Sequence, residues 1–290
     1  MPRATQFAIS LVLASALAGC AGARPGVITG AVDPGDILVV YHHGSAVEAN
    51  SDRCRPTPDG AFADDVSLPP VLAELDHLPG IAVRAVCSST LGDYEATRFE
   101  SVRTIPCTPN VSEPVPARFM KVCKRVARMR AWLAATLSTV PRDRLFFAGT
   151  SAGAWASLLI DAAPDRPFNA VIGFAPAFAG TTAVRRREPP LLDARARHLA
   201  FFESRSALPA LVFAFDGDPY EAPGDETGLA RLRAVPGFNV VAFDAAGPCS
   251  ASPHLCARST WFAPVALPLI RSYIACRVAD PEDACAAPPP

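Results

Sequence analysis

The sequence predicts an α/β fold, a mostly parallel twisted sheet with helices on both faces, and three observations carry that expectation. Short apolar runs alternate with helical patterns along most of the chain, as strands and crossover helices do in βαβ units. The apolar runs are continuous rather than alternating, which suits strands buried on both faces. One of them, Leu145-Phe146-Phe147-Ala148, passes through Gly149-Thr150-Ser151-Ala152-Gly153 straight into a small-residue helical run that stops at Pro164.

Taken in order, Ile37-Leu38-Val39-Val40-Tyr41 is β-branched and unbroken and reads as the first strand. Pro69 to Leu78 reads as a short helix closed by Pro79-Gly80, and Ile81 to Cys87 as the next strand. Phe119, Val122, Val126, Met129, Leu133 and Leu137 recur at helical spacing, so Pro116 to Thr139 reads as a long amphipathic helix. Its Arg118, Lys121, Arg125 and Arg128 read as the solvated side. Leu145–Ala148, Ala170–Phe174, Leu211–Phe215 and Phe238–Phe243 bring the strands to six. Helical patterns follow Ser151 and recur around Leu191–Ser204, Glu226–Ala234 and Trp261–Cys276. No internal repeat is present.

The ends read differently. Arg3 followed by the apolar run Phe7–Ala18 has the form of a signal peptide, too short to span a bilayer as a helix. It runs into Leu17-Ala18-Gly19-Cys20, which resembles a bacterial lipobox and implies lipidation of Cys20; ordinary cleavage after Ala18 is the alternative. Residues 1–19 are then a leader, 20–35 a Gly/Ala/Pro-rich tether, 36–285 one domain and 286–290 a Pro-rich tail. Of nine cysteines, setting Cys20 aside leaves an even set, which fits full pairing in an oxidising envelope compartment. Nearness in sequence suggests Cys249–Cys256 and Cys276–Cys285, with Cys54, Cys87, Cys107 and Cys123 pairing among themselves. No C-x-x-C occurs, and the histidines are not spaced with cysteines as zinc ligands are. Removing Arg3 with the leader leaves 26 basic against 28 acidic residues, a balance that gives no electrostatic case for nucleic acid.

G-x-S-x-G between a buried strand and a helix is the pattern of a nucleophile elbow, a sharp turn that presents a serine hydroxyl above a parallel sheet. Both glycines are expected to lie where a Cβ would clash. A serine hydroxyl needs a base to take its proton, and an imidazole, with an ordinary pKa of about 6.5, can serve near neutrality. With six strands and this turn, the chain resembles the α/β-hydrolase superfamily over roughly residues 36–277. The resemblance implies a triad in the order serine, acid, histidine. Ser151 is then the nucleophile and His254, the only histidine beyond the candidate acids, the base. Asp216 and Asp218 both follow the strand Leu211–Phe215. Asp218 is preferred, because it lies past a glycine that lets the chain reverse, whereas Asp216 is the first residue off the sheet. His43-Gly44-Ser45 stands where the family puts its oxyanion loop, so the N–H groups of Ser45 or Gly44 and of Ala152 are the implied oxyanion donors.

The sequence departs from the family in three places. Little room precedes Ile37 for the usual opening antiparallel strands, the acid follows its glycine directly, and any lid must come from about Ala175 to Pro190. The resemblance implies a compact, lid-poor serine hydrolase that uses neither metal nor cofactor. A carboxylic ester, small or polymeric, is the expected substrate; an amide-cleaving peptidase and a silent lipid-anchored binding protein are the alternatives.

Overall fold

The computed structural model describes residues 33, 35–45, 68–86, 106, 140–224, 228–244, 249–282 and 285, with most positions between 122 and 133. The leader, Cys20, most of the tether, Cys54, Cys87, Cys107 and the tail lie outside these residues.

Six strands form one sheet: β1 (Ile37–His42), β2 (Ile81–Val86), β3 (Leu145–Thr150), β4 (Ala170–Phe174), β5 (Ala210–Phe215) and β6 (Phe238–Phe243). Their order is β2-β1-β3-β4-β5-β6, and every neighbouring pair is parallel. Helices α1 (Pro70–Asp76), α2 (Ala152–Asp161), α3 (Thr182–Arg187), α4 (Pro189–Glu203), α5 (Leu229–Leu232) and α6 (Phe262–Ala279) join or follow them. The described residues between 122 and 133 are helical as well. Among the described residues no antiparallel strand precedes β1.

Alternation along each strand sorts the core into two halves. Leu38, Val40, Leu145, Phe147, Val212 and Ala214 face the side covered by the 122–133 helix, α2, α4 and α5. Val39, Tyr41, Phe146, Ala148, Leu211 and Phe213 face the side covered by α1 and α6. The faces follow from handedness. From β1 the chain steps outward to β2 through α1, then returns past β1 to β3, and a right-handed crossover run in the opposite direction puts its helix on the other face. The reversal opens a crevice at the carboxyl ends of β1 and β3, where open parallel sheets bind ligands. Within the stretch Ala175–Pro190, where the sequence left room for a lid, residues 182–187 form the short helix α3, capped by Thr181 Oγ1 accepting from Val184 N–H.

Candidate active site

β3 enters the crevice through an uncommon turn. Ser151 has φ 55° and ψ −124°, a conformation that a residue with a Cβ holds only when its surroundings impose it. Three hydrogen bonds impose it: Ser151 N–H donates to Phe174 O at 3.0 Å, and Ser151 O accepts from Trp155 and Ala177 N–H, both at 3.1 Å. The flanking glycines are sterically required. A Cβ on Gly149 would lie 2.6 Å from Ala154 N, and one on Gly153 would lie 2.3 Å from His42 O and 2.6 Å from His43 O. The second approach presses α2 against the end of β1, which brings Ser151 under the loop that continues β1.

β5 supplies the acid. Asp218 N–H donates to Phe215 O across a turn whose Gly217 has φ 75°, the left-handed region that glycine adopts without strain. That reversal buries Asp218 and leaves Asp216 exposed, its N–H donating to Phe243 O at the sheet edge. Asp218 Oδ1 accepts from Tyr220 N–H at 2.8 Å, which fixes the carboxylate, while Oδ2 accepts from His254 Nδ1 at 2.8 Å. His254 Nε2 lies 2.9 Å from Ser151 Oγ. With Nδ1 protonated toward Asp218, Nε2 carries the lone pair that faces the hydroxyl. His254 sits on a 3-10 turn, Pro253–Arg258, braced by the Cys249–Cys256 disulfide and packed against Tyr220, the two rings tilted by 34° with centroids 4.2 Å apart. Three residues 36 and 103 positions apart in pairs are thus joined into one hydrogen-bonded chain.

The oxyanion candidates flank the same hydroxyl. Gly44 packs so closely that a Cβ there would lie 3.1 Å from Ser151 Cβ. Ala152 is the first residue of α2, so its N–H is among the donors that a helix start leaves without an intrahelical partner. Gly44, Ser45, Ser151, Ala152 and His254 all line one cavity of about 850 Å³. Among the described residues its remaining wall is largely apolar, with Val122, Phe178, Val184, Tyr220 and Leu255, and carries one arginine, Arg258.

Sequence reasoning missed two buried arginines, Arg125 and Arg185, that hold loops of the site. Arg125, expected on a solvated helix face, is 2% exposed and donates to His43 O and, at 3.1 Å, to Gly44 O. Burial and the guanidinium of Arg125 together hold the neighbouring His42 well below the ordinary imidazole pKa, so His42 is a neutral core ring packed on Phe147. Arg185 is buried too. It donates to Gly180 O and Tyr220 O, both at 2.6 Å, and pairs with Glu221 at 3.3 Å. Glu221 also takes a two-pronged pair from Arg195, and this ties the acid-bearing loop to α3 and α4. Arg125 had no signal beyond being an arginine on an amphipathic helix, and Arg185 none beyond lying in the Arg185-Arg186-Arg187 run of the candidate lid segment.

Cys249–Cys256 and Cys276–Cys285 are disulfides, with Cα separations of 5.1 and 5.9 Å, as the sequence spacing suggested. Cys123 is also disulfide-bonded. Among the described residues no cluster of His, Cys, Asp and Glu is arranged to hold a metal ion.

No protein-family model and no curated protein matches the sequence. Solved structures do. A phospholipase/carboxylesterase from Dyadobacter fermentans is 16% identical, over 85% of this chain and 96% of that one, with a TM-score of 0.47. Est1E from Butyrivibrio proteoclasticus is 14% identical over 83% and 89%, with a TM-score of 0.46. A puromycin hydrolase is 20% identical over 90% of this chain and 36% of its own, with a TM-score of 0.49. The six parallel strands, their order and the turn after β3 give the chain the α/β-hydrolase fold.

Proposed function

We propose that the protein is a serine hydrolase that cleaves a carboxylic ester through an acyl-enzyme on Ser151. One observation carries the reading: a strained serine, a histidine and a buried aspartate linked at 2.9 and 2.8 Å at the floor of a largely apolar cavity. In this mechanism His254 Nε2 takes the Ser151 proton as Oγ attacks the ester carbonyl. Asp218 holds the imidazole in the needed tautomer and stabilises the imidazolium. The charge that develops on the carbonyl oxygen is met by N–H groups of Ser45 or Gly44 and of Ala152, the last at the positive end of α2. The imidazolium then returns its proton to the departing alkoxide, and a water activated by His254 releases the acid. The apolar wall favours an acyl or alcohol portion without charge near the reacting carbon.

The test is Ser151→Ala. Hydrolysis of p-nitrophenyl acetate and labelling by a fluorophosphonate should both vanish, with little change in Tm because the hydroxyl's task is chemical. Retention of a tenth of the wild-type rate would overturn the assignment. Faster turnover of peptide anilides than of nitrophenyl esters would redirect it to a peptidase, and a wild type that never labels would leave a binding protein.

For location we propose the lipoprotein reading, supported by Leu17-Ala18-Gly19-Cys20 and by disulfides that fit an oxidising compartment. Cys20→Ser should release the protein from the membrane fraction of a bacterial host; unchanged fractionation argues against the anchor.

A further inference from the structure

Arg125 reaches the active site from behind. Its guanidinium is buried against the loop 43–45, where it meets backbone: Nη1 donates to His43 O and Nη2 to Gly44 O. Among the described residues no carboxylate pairs with it. A charge buried in this way costs several kcal/mol unless hydrogen bonds compensate it, and the helix offers an easy way to avoid that cost by placing the arginine in water. Burial accordingly lowers its pKa to about 10, which still leaves it a cation at neutral pH.

The two carbonyls matter because of what lies at the other end of each peptide. In a trans peptide the C=O of one residue and the N–H of the next point in opposite directions within one rigid plane. Among the described residues every peptide is trans. The His43 carbonyl therefore shares a plane with Gly44 N–H, and the Gly44 carbonyl with Ser45 N–H. Drawing both oxygens toward Arg125 turns both N–H groups away from it, and Gly44 itself lies against Ser151. A charge-assisted hydrogen bond at each oxygen also polarises its peptide and strengthens the N–H as a donor. His43 adds to the clamp through a 2.6 Å contact between Nδ1 and Gly44 O.

We infer that Arg125 is a positioning residue for the oxyanion loop: it fixes and polarises the two peptides that carry the candidate oxyanion donors, Gly44 N–H and Ser45 N–H. This rests on the hydrolase reading above and adds a residue that touches neither substrate nor the reacting atoms. Gly44 has no side chain, and Ser45 is exposed.

Arg125→Gln and Arg125→Lys test the inference, each normalised to active sites titrated with a fluorophosphonate. Measured are Tm, kcat and KM for p-nitrophenyl acetate, and affinity for butylboronic acid, whose adduct on serine mimics the tetrahedral intermediate. The Gln variant should keep KM within about twofold and lose roughly a hundredfold in kcat, the order reported for losing one oxyanion donor. Boronate affinity should fall in parallel with kcat, and Lys, which keeps the charge and one reachable carbonyl, should recover part of both. A purely structural role would lower Tm and the titrated fraction while leaving kcat per site and boronate affinity intact, and that result overturns the inference. If the Gln variant does not fold, the Lys variant decides by the same comparison. A wild type that labels and turns over, with both variants matching its kcat, sinks the inference and spares the hydrolase reading. A wild type that neither labels nor turns over takes both down.

Discussion

Gly153→Ala separates two opposed expectations by sign. Gly153 lies in the first turn of α2, where helix propensity alone would make alanine stabilising by up to about 1 kcal/mol. The structure argues the reverse. The new Cβ would stand 2.3 Å from His42 O and 2.6 Å from His43 O, and ordinary contact begins at 3.4 Å, so α2 and the end of β1 must part by about 1.1 Å. Neither oxygen belongs to a side chain that could rotate aside. Overpacking of this kind typically costs about 1–3 kcal/mol. In a domain of this size each kcal/mol moves Tm by roughly 2–4 °C, so a fall of roughly 2–12 °C is expected. The same displacement carries Ser151 and Ala152 away from Gly44, and a misplacement near 1 Å can cost about a hundredfold in rate. Calorimetry and p-nitrophenyl acetate turnover measure the two effects separately. An alanine variant that melts at or above the wild-type temperature would refute the close approach, and one that melts lower yet turns over normally would refute its role in placing the nucleophile.

Other substitutions probe the acid, the core and the brace. Asp218→Asn should reduce kcat by up to about 10⁴, since the amide leaves His254 in the wrong tautomer, whereas exposed Asp216→Asn should stay within a few-fold of wild type; equal effects would undo the assignment. Asp161, at the end of α2, is buried with no hydrogen bond to either oxygen among the described residues, and burial, against the pull of Arg166 at 3.8 Å, raises its pKa to about 8. From about pH 4 to about pH 8 the folded protein therefore holds a proton that the unfolded chain, at about 3.9, has released, and stability falls as pH rises through that window. Asp161→Asn should flatten that slope and stabilise the protein at pH 9, with a ceiling of about 6 kcal/mol at about 1.4 kcal/mol per factor of ten in proton affinity; urea unfolding at pH 5 and 9 checks it, and an unchanged slope would refute it. Cys249→Ser with Cys256→Ser should lower kcat at temperatures where circular dichroism is still native, because the bridge braces the turn that carries His254; equal turnover would show the turn holds without it.

The strands were legible because their apolar runs are continuous. Ala170–Phe174 and Phe238–Phe243 match the observed bounds, and the others differ by one or two residues. Leu145–Ala148 extends to Thr150 because the two residues after it still pair with β4, something only the neighbouring strand could decide. The elbow was legible for a local reason, two glycines flanking a serine between two regular elements. Asp218 was legible because Gly217 makes the chain reverse immediately before it. What stayed hidden depends on contacts far apart in sequence. Arg185 lies 36 residues before Glu221 and in a helix too short for periodicity to reveal.

Arg125 shows why a helical stripe cannot be read for its exposure alone. Arg118, Lys121, Arg125 and Arg128 recur at spacings that put them on one side of a helix, and such a side usually faces water. The period, however, fixes only which residues share a face, not what covers it. Arg125 lies opposite the turn where β1 leaves the sheet, and there the backbone offers two carbonyls that no strand neighbour satisfies. An unpaired buried carbonyl is costly, as is a buried guanidinium, and each removes the other's penalty. The pairing spans 81 and 82 residues, so only the folded sheet brings its partners together. The strain at Ser151, the contact at Gly153 and the clamp at His43 and Gly44 all converge on the β1–β3 crevice. That crevice exists because the chain reverses direction after β2, so the position of the candidate site follows from strand order while its precision follows from residues that strand order does not reveal.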